Sequence, residues 1–188
     1  MYQIVEVLKI VWNVFRLGCL KIVKQGTVTF KGRQRINFDN EISIRGEKSN
    51  ITLGNNITTG KNVCFRIRNG NLKLGDKAYF NNGCMVVCYE EIKIGSGCSF
   101  GPNVMIFDHD HDYKHPEGIK ANIYKTAGMT LGNNVWVGAN SVILRGSKIG
   151  DNCVIGAGCI VKGDIPMNTI FTHDREGSIK EYNARITY

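Results

Sequence analysis

The chain has 188 residues, enough for one domain with a sizeable core, and carries a formal net charge of +8 at pH 7. Glycine is frequent (22) and proline scarce (3), and no linker-like stretch interrupts the sequence, which argues against disorder. The positive charge lacks the basic and aromatic interleaving that nucleic-acid strands require, so no nucleic-acid partner is expected.

At the start, in "MYQIVEVLKIVWNVFRLGCLKIVK", Glu6, Lys9 and Arg16 break each apolar run before it reaches signal or transmembrane length. Ile4, Val7, Leu8, Val11, Val14 and Leu17 recur at steps of mostly three and four, which predicts an amphipathic helix within residues 1–25. Its apolar stripe is expected to pack on its own domain or on a neighbouring subunit. The alternative, given Lys9, Arg16, Lys21 and Lys24, is peripheral contact with an anionic membrane. With no export signal evident, seven cysteines and no CxxC pair predict free thiols in a reducing compartment, hence a cytoplasmic protein with the inner membrane face as an option.

Downstream the chain repeats every six residues. Leu131, Val137, Ile143, Ile149, Ile155 and Val161 keep the period without error, and Val135, Ser141, Ser147, Cys153 and Cys159 follow four residues after the first five. Period six fits neither a helix nor a simple two-sided strand; it fits short strands joined by tight turns, with the aliphatic side chain inward. The register extends upstream through Leu53, Thr59 and Phe65, then Leu74, Phe80 and Val86, then Ile94, Phe100 and Ile106, with an earlier, weaker coil through Phe38 and Ile44. Three sixes make one triangular coil, and about six coils result. Cys84, Cys98, Cys153 and Cys159 fall at small, buried positions. The coils occupy residues 26–165, and 166–188 form a tail. Steps of nine, eight and twenty-five residues after Phe65, Val86 and Ile106 place every insertion at one corner, the longest as a projecting loop at about 107–126.

That loop opens with "IFDHDHDYKH", in which His109, His111 and His115 alternate with Asp108, Asp110 and Asp112. An ordered coil handing over to a projecting loop suits a catalytic site, and a histidine beside a sugar hydroxyl suits general-base chemistry. His109 and His111 share a face if the segment is extended, so either can be the base. His115 reads as a solvated loop residue and His173 as a surface residue. H-x-H-x3-H is also a spacing that could hold zinc, and the same coils could serve a non-catalytic scaffold or binding subunit.

The repeats over about residues 26–170, with the perfect run from Leu131 to Val161, resemble the hexapeptide-repeat acyltransferases, which implies an all-β, left-handed parallel β-helix. "GPNVMIFDHDH", "TLGNNVWVGANSVI" and "IGDNCVIGAGCIVKGDIP" resemble the maltose and galactoside O-acetyltransferase branch, and more closely the O-acetyltransferases of capsule and exopolysaccharide clusters. In that branch the catalytic histidine lies eight residues after the asparagine of "PNV". Counted from Asn103, this is His111, favoured over His109, and no metal is expected. The γ-class carbonic anhydrases, with zinc between subunits of a similar β-helix, are the alternative resemblance.

The resemblance further implies an acetyl-CoA donor, a homotrimer with active sites between subunits, and a sugar or a lipid- or nucleotide-linked saccharide as acceptor. It points to Tyr79 and Asn81 in "AYFNN" as contacts to thioester or acceptor, with Asn82 either joining them or filling a turn. It assigns Ala139 and Ala157 to the pantetheine arm and Trp136 to the pocket wall, with core or interface packing as the plainer role of Trp136. Lys162 is placed near a phosphate and Lys180 at the CoA 3′-phosphate. The branch's acidic acceptor contact is replaced by Tyr89, its Thr-Lys-Asp segment reads "KGDIP", and its Gly-x-Pro turn is missing.

Overall fold

A computed structural model describes residues 2–23, 26–172 and 178–181. Three parallel sheets form the sides of a triangular prism. The first side stacks Thr27–Phe30, Asn50–Leu53, Asn71–Leu74, Glu91–Ile94, Met129–Leu131, Lys148–Ile149 and Asp164–Ile165. The second stacks Thr58–Thr59, Tyr79–Phe80, Ser99–Phe100, Trp136–Val137, Val154–Ile155 and Thr169–Thr172, with Ser178–Glu181 antiparallel on the last. The third stacks Glu41–Arg45, Cys64–Arg68, Met85–Cys88, Met105–Phe107, Val142–Ile143 and Ile160–Val161. The chain visits the sides in rotation, so the six strands of the third side mark six coils.

Residues at the six-step positions from Leu53 to Val161 fill the interior, and Phe65, Phe80 and Phe100 are fully enclosed. Phe80 stacks on Phe100 at 4.6 Å and meets Phe65 edge-on at 5.1 Å. The small positions four residues on do more than fill space where they carry a thiol or hydroxyl, because these reach up to the next coil. Cys84 Sγ donates to Gly101 O at 3.1 Å, Cys98 Sγ to Gly132 O at 3.1 Å, Cys153 Sγ to Pro166 O at 3.0 Å, and Ser141 Oγ to Gly156 O at 2.9 Å. Burial pushes the Cys84 and Cys98 thiols up to about 11.

The first coil departs from expectation. Phe38 is exposed and lies against Trp12, while Ile36 and Ile42 are buried. Phe30 pairs with Leu53, Arg35 bridges Thr58, and Ile42 pairs with Phe65, so the true register is Phe30, Ile36, Ile42. Ile44 is also inward, because the five-residue strand Glu41–Arg45 has two core positions.

The helix α1 (Tyr2–Val23) covers the open end of the prism with most of its apolar stripe outward and not packed on its own domain. Ile4, Val7, Leu8, Val11 and Val14 are exposed, and of the stripe only Leu17 is buried. The cause lies in the first coil, whose outer edge has carbonyls with no coil beyond to supply donors. Asn13, fully buried, donates from Nδ2 to Ile36 O at 2.8 Å, and Arg16 donates to Asn40 O. Glu6 contacts Lys9 at 3.0 Å and Arg35 at 3.8 Å. The polar face therefore turns inward, leaving the apolar face, with Trp12 and Phe15, outward. Among the described residues no helix is long and apolar enough to cross a membrane.

Candidate active site

After Phe107 the chain leaves the third side instead of turning onto the first. His109–His111 pairs antiparallel with Tyr124–Thr126, forming a hairpin at the third-to-first corner. The extended strand directs His109 and His111 to one face and Asp110 to the other. Both imidazoles meet Tyr124, with ring centroids at 5.5 Å for His109 and 4.7 Å for His111.

Each carboxylate of the segment holds the hairpin in place. Asp108, fully buried, accepts the N–H groups of Tyr89 and Glu90, both at 2.8 Å, and its carbonyl accepts Ala127 N–H at 2.9 Å. Asp110 Oδ2 accepts from Arg145 Nε at 2.5 Å. Asp112 pairs with Lys125 at 2.9 Å, and that hydrogen bond holds its carboxyl below the usual carboxylate range. His115 accepts Glu117 N–H at Nδ1, 3.2 Å, within the hairpin's outer loop. Among the described residues no three His, Cys, Asp or Glu side chains converge as a metal site.

The two leading histidines differ in access. His109 is only 14% exposed, its ring 4.0 Å from that of Tyr89; its Nδ1 lies 3.4 Å from Asp108 Oδ1 without forming a hydrogen bond. His111 is exposed at the rim. Beside them a cleft of about 400 Å³ is lined by Arg45, Arg68, Asn69, Tyr89, Asn122 and Tyr124. Burial, then the hydrogen bond with Tyr124, pushes the Tyr89 phenol up.

The remaining expected residues lie elsewhere on the prism. Tyr79 is on the second side, and Asn81 and Asn82 follow at the second-to-third corner. They belong to the coil next to the histidines but to a different corner, so stacking along the axis does not bring the two groups together within one chain. Asn82 Oδ1 accepts Lys61 N–H at 2.7 Å, a stitch between coils, and Asn81 Oδ1 accepts Asn82 N–H at 2.8 Å. Ala139 and Ala157 stack at that same second-to-third corner, one coil apart. Their amides have no hydrogen-bond partner among the described residues. Gly101 and Gly138 sit below them, where an added Cβ would come within 2.6 and 2.5 Å of those two nitrogens. The two stacked amides are therefore free donors at this corner. Trp136 is 56% exposed on the adjoining side, which excludes core packing. Lys162 is at the third-to-first corner, above the hairpin rather than beside Ala157. Lys180 pairs through its backbone with Ile170; its side chain, like His173, lies outside what is described.

Sequence reasoning missed Arg45, Arg68, Tyr124 and Arg145. The signal for the first two was available, since both end third-side strands at the corner that carries the insertions.

Stacked three-sided coils with a six-residue period are those of the hexapeptide-repeat transferases, and comparison with known proteins agrees. The family described as "Bacterial transferase hexapeptide (six repeats)" matches residues 128–163. Galactoside O-acetyltransferase of Escherichia coli (strain K12) is 35% identical over 134 residues, 71% of this chain and 65% of that protein. The E. coli protein provisionally named lipopolysaccharide biosynthesis O-acetyl transferase WbbJ is 30% identical over 149 residues, 74% of this chain and 76% of its own length. Among solved structures, a galactoside acetyltransferase in complex with coenzyme A superposes with a TM-score of 0.55 at 26% identity, covering 89% of this chain and 70% of that one. A mutant of the Bacillus cereus N-acyltransferase AntD shares the fold with a TM-score of 0.70 at 18% identity, covering 89% and 88%. The chain belongs to the hexapeptide-repeat acetyltransferase family.

Proposed function

We propose that the protein transfers the acetyl group of acetyl-CoA to a sugar hydroxyl, as a step in making capsule, exopolysaccharide or lipopolysaccharide. The observation that carries this reading is the extended strand presenting His111 at the rim of the cleft, over Tyr124, in a chain of this family. His111 Nε2 or Nδ1 takes the hydroxyl proton as the oxygen attacks the thioester carbonyl. The C–O bond forms, the C–S bond breaks, and the proton passes to the departing CoA thiolate. His109, enclosed by Tyr89 and Asp108, supports the strand and is the less accessible base. The free amides at Ala139 and Ala157 hold the pantetheine arm, Trp136 lines its groove, and Lys162 and Lys180 are assigned to phosphates.

The separation of corners supports a homotrimer. Tyr79 and Asn81 of one subunit complete the site of the next, since no coil within a single chain joins them to His111. The outward apolar face of α1, together with exposed Lys31, Arg33 and Arg35 in the first coil that the helix covers, supports resting on the anionic inner face of a membrane, where a lipid-linked acceptor would lie.

The test is thiol release from acetyl-CoA with a panel of lipid-linked, nucleotide-linked and free saccharides. His111→Ala should abolish transfer while leaving acetyl-CoA binding intact. Undiminished transfer in both the His111→Ala and His109→Ala proteins would overturn the mechanism.

A further inference from the structure

Arg45 and Arg68 are direct cross-strand partners at the third-to-first corner, in adjacent coils about 4.8 Å apart. Tyr89 begins the next turn of the same column, one residue past Cys88, whose partner is Ile67. All three line the cleft beside the histidines. Like charges directly opposite on neighbouring strands repel, and such a pair is normally relieved by a carboxylate. Elsewhere on the third side and in the hairpin that relief is present. Arg66 pairs with Glu41 at 3.2 Å, Arg145 with Asp110 and Lys125 with Asp112. Arg45 and Arg68 have no carboxylate partner among the described residues, and Arg68 Nε is enclosed without a hydrogen bond. The three aspartates of the hairpin are already engaged by backbone amides, Arg145 and Lys125, so none can swing across. The ring of Tyr89 contributes no charge to offset the guanidinium pair.

Resting on the acetyl-transfer reading above, we infer that this cleft is the acceptor subsite and that it takes an acidic saccharide, whose phosphate or carboxylate lies between Arg45 and Arg68. The acceptor hydroxyl then reaches past Tyr89 and Tyr124 to the imidazoles. Guanidinium pairs suit such oxyanions through paired N–H donors.

The experiment compares the full-length protein with Arg45→Met, Arg68→Met and the double variant. Thiol release from acetyl-CoA is measured with three acceptors: a galactose 1-phosphate, a glucuronic-acid saccharide and a neutral methyl galactoside. The acidic acceptors should be preferred, and each single variant should raise their KM by about ten- to a hundredfold, the range for hydrogen bonds to charged groups, with the KM for acetyl-CoA unchanged. Which acidic acceptor responds separates phosphate from carboxylate. The melting temperature should hold or rise in the double variant, because repulsion is removed; a fall would mark the pair as structural and overturn the inference. Equal use of neutral and acidic acceptors, or an unmoved KM in the variants, would also overturn it. If no acceptor is turned over, the transfer reading is what has failed. Calorimetric titration with inorganic phosphate and with glucuronate then decides the subsite: binding lost in the double variant upholds it, and binding absent from or equal in both proteins rejects it.

Discussion

Arg145 Nε donates to Asp110 Oδ2 at 2.5 Å, so the carboxylate between the two leading histidines is held by a coil formed thirty-five residues later in the chain. The hairpin is thus tied on both sides, to the coil before through Asp108 and to the coil after through Arg145.

Arg145→Met removes the later tie. The pair is partly exposed, so stability should fall by about 1 kcal/mol or less, equivalent to about 2–4 °C in Tm. Activity should suffer more, because a small displacement of a catalytic group costs on the order of a hundredfold. A drop in kcat of about tenfold or greater, with Tm nearly unchanged, is the expected pattern in thiol-release and melting assays.

Asp108→Asn replaces an oxygen that accepts a backbone N–H with an amide nitrogen that cannot. One of the amides of Tyr89 and Glu90 is left enclosed without a partner, which should cost about 1–3 kcal/mol. Thermal denaturation of the purified protein reads this directly. A melting curve identical to wild type would mean that the buried carboxylate does not clamp the hairpin.

Alkaline pH should destabilise the fold through its buried thiols. Cys84 and Cys98 sit at about 11 when folded against an ordinary value of 9.0. Between these values the unfolded chain releases protons that the folded chain retains, so stability falls as pH rises. Tm should decline from pH 9 to 11, and Cys98→Ser, which keeps a donor to Gly132 O as Ser141 does toward Gly156, should reduce the decline.

The outward face of α1 should bind anionic vesicles. Sedimentation with phosphatidylglycerol vesicles, but not with phosphatidylcholine, is expected, together with a blue shift of Trp12 fluorescence. Val11→Glu with Phe15→Glu should abolish both while leaving the inward contacts of Asn13 and Arg16 in place. Concentration-dependent association without vesicles that the same two substitutions remove would instead assign this face to another copy of the chain.

The sequence reading was strongest where a position has one geometric option. From Leu53 onward the six-step residues are buried, and from Val137 to Ile165 each two-residue strand has a single inward site. It slipped at Phe38, because Glu41–Arg45 offers two inward sites, Ile42 and Ile44, and counting back from the wrong one shifted the register by two. For α1 periodicity correctly gave an amphipathic helix, but amphipathicity does not say what each face meets. Unsatisfied carbonyls at Gln34, Ile36 and Asn40 decided that, and they are a property of the prism's end rather than of the helix. The histidines were legible from their setting. The Arg45–Arg68 column becomes legible only when Ile42, and not Ile44, is set against Phe65, because that register puts Arg45 opposite Arg68.

The enclosed aromatic pile of Phe65, Phe80 and Phe100 gives way in the second-side column to Val137 and Ile155, with the partly buried Phe171 after them. The prism is therefore stiffest in its middle third and should fray from its tips, with amide exchange slowest for coils spanning residues 64–106. The hairpin is rooted at the upper limit of that rigid segment, so thermal breathing of either tip can proceed without loosening its foundation.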